Sequence, residues 1–348
     1  MTGRAWPTVS VIMPMRNEEG HIERCLQQVF DNDYPQELVE IVIADGQSTD
    51  RSVEIVKSIQ RDHPGVHLYS NDGRRVPHGL NTCLKHATGE VVVRFDVHAE
   101  YPPDYIRQCV TALLISDAVC VGGTQDFVTD SYMSRAVAAA LASSFGAGGA
   151  RYRVSSSSEY VDTVWLGCWR RESLLQLGGY KEEVLCSEDY ELAFRLRKRG
   201  GKILLSNAIH AKYYARTGVR LFRQYLHYGF WKPRLMFMHP ASVRLRQVVP
   251  ALFMVALIAS LATVPITPKP LLWILGLYFL AAFAASIVVA AKRSWALLPV
   301  LPYIFMILHW SWGLGAVVGS VYWAIYRLRG KEVPLTDQGS IHIVAPQA

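Results

Sequence analysis

The stretch Val9-Ser10-Val11-Ile12-Met13-Pro14-Met15-Arg16-Asn17-Glu18-Glu19 changes character at its middle, where a mainly apolar run meets a proline and then a polar cluster. Such a run reads as a buried strand that the proline stops. Beyond it, residues 21–31 repeat apolar side chains at helical spacing (Ile22, Cys25, Leu26, Val29). Residues 40–44 read as a second strand ending at Asp45-Gly46-Gln47-Ser48-Thr49-Asp50, and residues 52–61 as a helix. Residues 90–95 read as a third strand, delivered into Asp96-Val97-His98. This alternation over residues 8–240 is the pattern of an α/β domain.

In open α/β sheets the ligand lies beyond the carboxyl ends of the strands. Arg16-Asn17-Glu18, the segment 45–50 and Asp96-Val97-His98 all fall at such ends, which argues for one nucleotide site. Neither a GxGxxG nor a Walker sequence follows the first strand, so a dinucleotide or P-loop site is not indicated. A diphosphate could instead be held through a divalent metal, with Asp96 and His98 as its ligands. Strand alternation would put residues two apart on one side. A histidine ligand suits manganese better than magnesium. Alone, the Asp-x-His triplet is a weak signal; a loop carboxylate and a satisfied histidine are commoner.

The 348 residues are 51% hydrophobic and 19% charged, with 36 basic and 29 acidic side chains for a net charge of +7. This excludes a disordered, collagen-like or disulfide-scaffold chain, and the low charge implies that part of the protein does not face water. Six cysteines without CxxC spacing indicate neither zinc nor a disulfide framework. Residues 1–8 lack the apolar stretch of a signal peptide, so the first domain is expected in the cytosol.

Charge is unevenly spread, with no Asp or Glu from Leu192 to Lys331. Arg and Lys crowd this stretch as far as Arg246, and apolar runs follow at 248–266, 271–291 and 296–326. A basic block before an apolar block suits a bilayer with anionic headgroups. Nucleic acid is not expected, because no recognition motif accompanies the charge. The first two runs are each near the ~20 residues needed to cross hydrocarbon. Basic clusters at Arg244/Arg246, Lys292/Arg293 and Arg327/Arg329/Lys331 favour the cytosolic side. The third run is therefore expected to return as a re-entrant or kinked hairpin, which Pro299, Pro302, Gly313 and Gly315 would permit, with a single tilted span as the alternative. The expected organisation is a catalytic domain over 1–240 with a basic membrane-proximal segment (212–246), membrane helices over 247–330 and a polar tail over 331–348.

Taken together, the 9–14 strand with Arg16-Asn17-Glu18-Glu19, the segment 45–50, Asp96-Val97-His98 and Ser187-Glu188-Asp189-Tyr190-Glu191-Leu192 resemble glycosyltransferase family 2. Within it, Asp96-Val97-His98-Ala99 and the stretch 145–152 resemble the succinoglycan-type membrane glucosyltransferases. The resemblance implies a GT-A fold followed by a transmembrane helical region, an inverting mechanism and a nucleotide-sugar donor. It implies that Asp45 meets the uracil, that Pro14, Arg16, Asn17 and Glu18 lie beside the nucleoside, and that Asp96 is the first carboxylate of the DxD motif, with His98 replacing the second. Asp189 matches the catalytic base, and Glu188 beside it is implied to be a nucleotide-sugar-binding residue. An acid in the first helical turn is also favoured by the helix dipole, and both readings hold together.

Tyr214-Ala215-Arg216-Thr217 and the segment 224–231, from Gln224 to Trp231, resemble the part of the family that closes over the diphosphate. Processive members carry Gln-x-x-Arg-Trp there, whereas this chain has His227 and Tyr228. Arg216 or Arg223 would supply the phosphate charge instead, and Arg75 near the donor is a further candidate. The expected activity is transfer from a UDP-sugar, such as UDP-glucose, to a polyprenyl-diphosphate-linked saccharide at the plasma membrane, with manganese as cofactor. The alternatives are a polyprenyl- or dolichyl-phosphate sugar synthase and an inactive membrane scaffold.

Overall fold

The computed structural model describes residues 6–329, so the expected tail at 331–348, Lys331 included, lies outside the described residues. The chain divides into two compact units. The first runs to Asp126 and resumes over Ser155–Tyr213; the second takes Phe127–Val154 and the chain from Tyr214.

In the first unit the strands are β1 (Val9–Met15), β2 (Val39–Asp45), β3 (Val66–Ser70), β4 (Val91–Arg94), β5 (Ala118–Phe127), β6 (Glu159–Tyr160), β7 (Trp165–Arg170) and β8 (Lys202–Tyr213). They form one mixed sheet in the order β3-β2-β1-β4-β7-β5-β8-β6. β3, β2, β1 and β4 are mutually parallel, and β7 enters antiparallel to β4. Val9, Val11 and Met13 of β1 join Ile41, Ile43, Val91 and Val93 in a core closed by the helices Ile22–Phe30 and Tyr105–Ile115. Each such aliphatic side chain contributes about 1.5–3 kcal/mol on burial. Four adjacent parallel strands thereby end side by side.

Pro14 does not stop β1, contrary to the sequence expectation; the strand continues to Met15 opposite Asp45. Pairing with β4 ends at Ile12, so Pro14 is paired on the β2 side alone and its missing N–H breaks no ladder.

The second unit does not follow a cut at residue 240. Ala136, Val137, Ala140 and Leu141 of the helix Tyr132–Leu141 share a core with Leu221, Tyr225, Leu301, Ile304, Phe305 and Leu308. That core draws residues 127–154 and the helix Gly218–Met238 to the C-terminal helices. The helices Lys269–Lys292 and Leu301–Leu328 are long and apolar enough to cross a membrane, while Leu245–Ala262 is a shorter apolar helix.

The third apolar run is not a kinked hairpin. It is one helix from Leu301 to Leu328, about 42 Å long at 1.5 Å per residue. Pro302 falls in its first turn, where a proline costs no hydrogen bond. The glycines act in packing: a Cβ on Gly315 or Gly319 would stand 2.1 or 2.2 Å from the carbonyl oxygens of Leu226 and Phe230. Only glycine lets these two helix backbones approach so closely. His309, on the same helix, donates from Nε2 to the Phe145 carbonyl at 2.7 Å and accepts at Nδ1 from the Tyr278 hydroxyl at 3.2 Å.

Candidate active site

The loops leaving β1 and β2 are tied to each other. Asn17 Oδ1 accepts from Thr49 N at 2.8 Å, and Asn17 N donates to Ser48 Oγ at 2.9 Å. Glu18 N donates to Ser52 Oγ at 2.7 Å, and Glu19 N to Asp50 Oδ2 at 3.1 Å. Both Asp45 oxygens accept from Ser48 N at 3.2 Å, and Oδ1 also from Ser48 Oγ at 2.6 Å. Asp45 therefore shapes its own turn, as aspartates at strand ends do. Arg74 Nε donates to Gln47 Oε1, and Arg75 precedes the helix Val76–His86. Asn17, Gln47 and Arg74 have φ of 55°, 59° and 55°. Left-handed backbone at three neighbouring strand ends is strain of the kind that gathers at functional sites.

At the end of β4 the sequence holds a residue that motif reading passed over. Arg94 is 5% exposed. Its Nε donates to Asp96 Oδ1 at 2.9 Å, and its Nη1 to Asp189 Oδ1 at 2.7 Å and Glu188 Oε1 at 3.1 Å. A charged residue inside Val91-Val92-Val93-Arg94-Phe95 was the available signal, because an arginine in an apolar strand must find partners. Asp189 and Glu188 open the helix Glu188–Lys198, where the macrodipole favours acids. That helix is anchored from within. Glu191, fully buried, pairs with Arg195, which also donates to the Leu177 and Gly179 carbonyls.

Three carboxylates share one guanidinium, and the titration behaviour follows. The Asp189 carboxyl is raised to about 7 in all: burial pushes it up, Arg94 pulls it down, and Glu188 and Asp96 push it up further. Burial opposes the charge on Arg94, but Asp189, Asp96 and Glu188 outweigh it and hold the guanidinium protonated. Tyr180, buried close by, is fixed through its backbone by Asn81, and its hydroxyl has no hydrogen-bond partner among the described residues.

Asp96 and His98 do not share a strand face as expected. β4 ends at Arg94, and residues 96–99 form a turn closed by Ala99 N to Asp96 O at 3.0 Å. Asp96 turns back to Arg94, whereas the exposed His98 ring lies 3.7 Å from Glu18 Oε1. Among the described residues no three His, Cys, Asp or Glu side chains gather to hold an ion. The donor set suits an ion that takes most of its ligands from a bound diphosphate, not a cage built by protein alone.

The remaining expected positions lie in the second unit. Arg216 is half-buried ahead of the helix Gly218–Met238. Gln224 donates to Tyr228 Oη at 3.0 Å, and the Trp231 ring packs 5.0 Å from Trp323. Pro14, Arg16, Asn17, Glu18, Asp45, Arg75, Asp96, His98, Glu188 and Asp189 belong to the first unit.

The architecture is a GT-A-like α/β domain carrying helices apolar enough to be transmembrane candidates. Residues 10–163 match the family model described as Glycosyl transferase family 2. It is similar to the succinoglycan biosynthesis protein ExoA of Rhizobium meliloti (strain 1021), with 29% identity over 88% of this chain and 92% of that protein. It is 28% identical, over 64% of its length and 71% of the relative's, to a dolichyl N-acetyl-alpha-D-glucosaminyl phosphate 3-beta-D-2,3-diacetamido-2,3-dideoxy-beta-D-glucuronosyltransferase of Methanococcus voltae. Among solved structures, the mannosyltransferase PcManGT from Pyrobaculum calidifontis, in complex with GDP-Man and Mn2+, superposes with a TM-score of 0.58 at 22% identity. That match covers 94% of this chain and 89% of that one, and it is a likeness of fold.

Proposed function

We propose that this glycosyltransferase is an inverting enzyme that moves a sugar from a UDP-sugar to a polyprenyl-diphosphate-linked saccharide, in the assembly of a cell-surface polysaccharide. The observation that carries the reading is the hold of one buried guanidinium on Asp96 and Asp189 at the carboxyl ends of parallel strands. In this reading Asp189 accepts the proton of the acceptor hydroxyl as that oxygen attacks the anomeric carbon. The bond from that carbon to the diphosphate breaks on the opposite face, and the diphosphate leaves with the bonding electron pair. General-base assistance of this kind contributes on the order of 10²–10⁴-fold. Asp189 serves only when ionised, and Arg94 favours that form against burial.

Asp45, Pro14, Arg16, Asn17, Glu18 and Arg75 would form the nucleoside side of the site, and Arg216, Gln224 and Trp231 are assigned to the diphosphate-closing segment. Asp96 and His98 would hold a divalent ion, manganese before magnesium, which when bound supplies positive charge to the departing diphosphate. The names of the Rhizobium and Methanococcus relatives, one for succinoglycan biosynthesis and one for transfer to a dolichyl-linked sugar phosphate, support a lipid-linked acceptor. The two long apolar helices and the basic residues beside them support a plasma-membrane enzyme with a cytosolic catalytic unit.

The test is transfer by the purified full chain, given manganese or magnesium, a panel of nucleotide sugars and lipid-linked acceptors. An elongated lipid-linked saccharide formed from a UDP-sugar is expected. A product with sugar joined directly to lipid monophosphate would replace this acceptor assignment.

A further inference from the structure

Arg94 has three charged partners, is almost wholly buried and stands at the last position of β4, two residues before Asp96. We propose that Arg94 is a positioning residue: its one guanidinium fixes the base carboxylate of Asp189 relative to the donor-side carboxylate of Asp96. The inference rests on the reading of Asp189 as base.

The geometry explains why arginine is required. Nε and Nη1 leave a planar fork in different directions, so one rigid group meets carboxylates from two elements, the end of β4 and the first turn of the helix Glu188–Lys198. A lysine ammonium would keep the charge but present it as a point on a flexible stem, without two fixed directions. Asp96 is bound twice more through its backbone, by Tyr101 Oη at 2.6 Å to its N–H and 3.2 Å to its carbonyl. On the other side, Arg195 ties the helix of Asp189 to the Leu177–Gly179 turn. Both elements are thus held independently, and Arg94 sets the side chains, not the backbone. A shift of about 1 Å in a catalytic group costs on the order of 10²-fold in rate.

The test is a double-mutant cycle on turnover with Arg94→Lys and Asp189→Asn, read beside UDP affinity by calorimetry. Arg94→Lys is expected to lower kcat about 10-fold or more, with a KM for the donor changed only a few-fold. In the Asp189→Asn background the same substitution should alter kcat by less than about 2-fold, because a residue acting through the base has nothing left to position. Multiplying effects would overturn the inference, as would normal turnover in Arg94→Lys.

Should the lysine variant not fold, Glu188→Gln reads the same arrangement without creating an unpaired charge. The groups facing Asp189 are Arg94 and Asp96 from the end of β4, Glu188 from its own helix, Tyr180 from the preceding turn and Cys120 from β5. Arg94 would still join Asp96 to Asp189 in that variant, so its loss of kcat should be at least about 10-fold smaller than that of Asp189→Asn. A loss equal to that of Asp189→Asn would overturn the proposal. A wild-type chain that moves no sugar from any donor would overturn the functional reading and this inference together, whereas active wild type with multiplying effects overturns the inference alone.

Discussion

At the amino ends of the parallel strands, Glu40 Oε1 accepts from Ser10 Oγ and Thr88 N at 2.5 Å each, from Thr88 Oγ1 at 3.0 Å and from Gly89 N at 3.1 Å. At the carboxyl ends of the same sheet, Asp96, Glu188 and Asp189 divide one arginine. Donors outnumber acceptors at one end, and carboxylates outnumber cations at the other. Burial works against the charge on Glu40, but the donors of Ser10, Thr88 and Gly89 hold its carboxyl below the ordinary range. Burial wins at Asp189, with its carboxylate neighbours adding to it. A saturated carboxylate is a structural tie across β1, β2 and the turn into β4. An under-matched one is held ready to take a proton.

The largest expected effect comes from removing the cation that separates the two cases. Arg94→Met should cost on the order of 3–5 kcal/mol of stability, because it leaves partly buried carboxylates unpaired. It would be measured as the melting transition of the detergent-solubilised chain, and an unchanged transition would break the comparison. Asp189→Asn should reduce turnover on the order of 100-fold or more while leaving UDP affinity within a few-fold. Near-normal turnover would remove Asp189 as base.

Glu40→Ala inverts that pattern. It should cost about 1–3 kcal/mol through the donors it strands, with turnover altered less than about 2-fold. A turnover defect as large as that of Asp189→Asn would mean that the two ends do not differ in kind.

The smallest effects are in pH dependence and run in opposite directions. The stability due to Glu40, whose folded value is lowered, is fully present above its ordinary value of 4.5 and is lost as pH falls through the folded value. For Asp189 the folded value is raised, so its contribution is fully present below 3.8 and is lost as pH rises through about 7. At pH 8, Glu40→Gln should therefore melt below the wild type, and Asp189→Asn at or above it. Wild-type turnover should climb with pH through about 7. A flat profile, or Asp189→Asn melting well below the wild type at pH 8, would contradict the raised value.

Much of the first unit was legible because local rules agree there. Apolar runs mark β1, β2 and β4, helical periodicity marks Ile22–Phe30, and the polar residues that follow each strand are those that cannot be buried in the sheet. The antiparallel strands β5 to β8 were not read, since their pairing joins segments far apart in sequence. The same limit hid Arg94, whose partners lie two, 94 and 95 positions away.

By itself the sequence determined the α/β class, the polar strand ends and the apolar C-terminal helices. Each of these follows from short-range pattern: residue type, period and order. Tertiary structure decided which charges meet, where the units divide and whether the third apolar run bends. Pro299, Pro302 and the glycines at 313, 315 and 319 permit a hairpin by composition, yet Pro302 sits harmlessly in a first turn and Gly315 and Gly319 lie against the Leu226 and Phe230 carbonyls. Asp96 and His98 are two residues apart in sequence, but the strand ends before them and their side chains go to different partners. A residue's chemistry is carried by the chain; the groups that tune it arrive from elements that only the fold brings together.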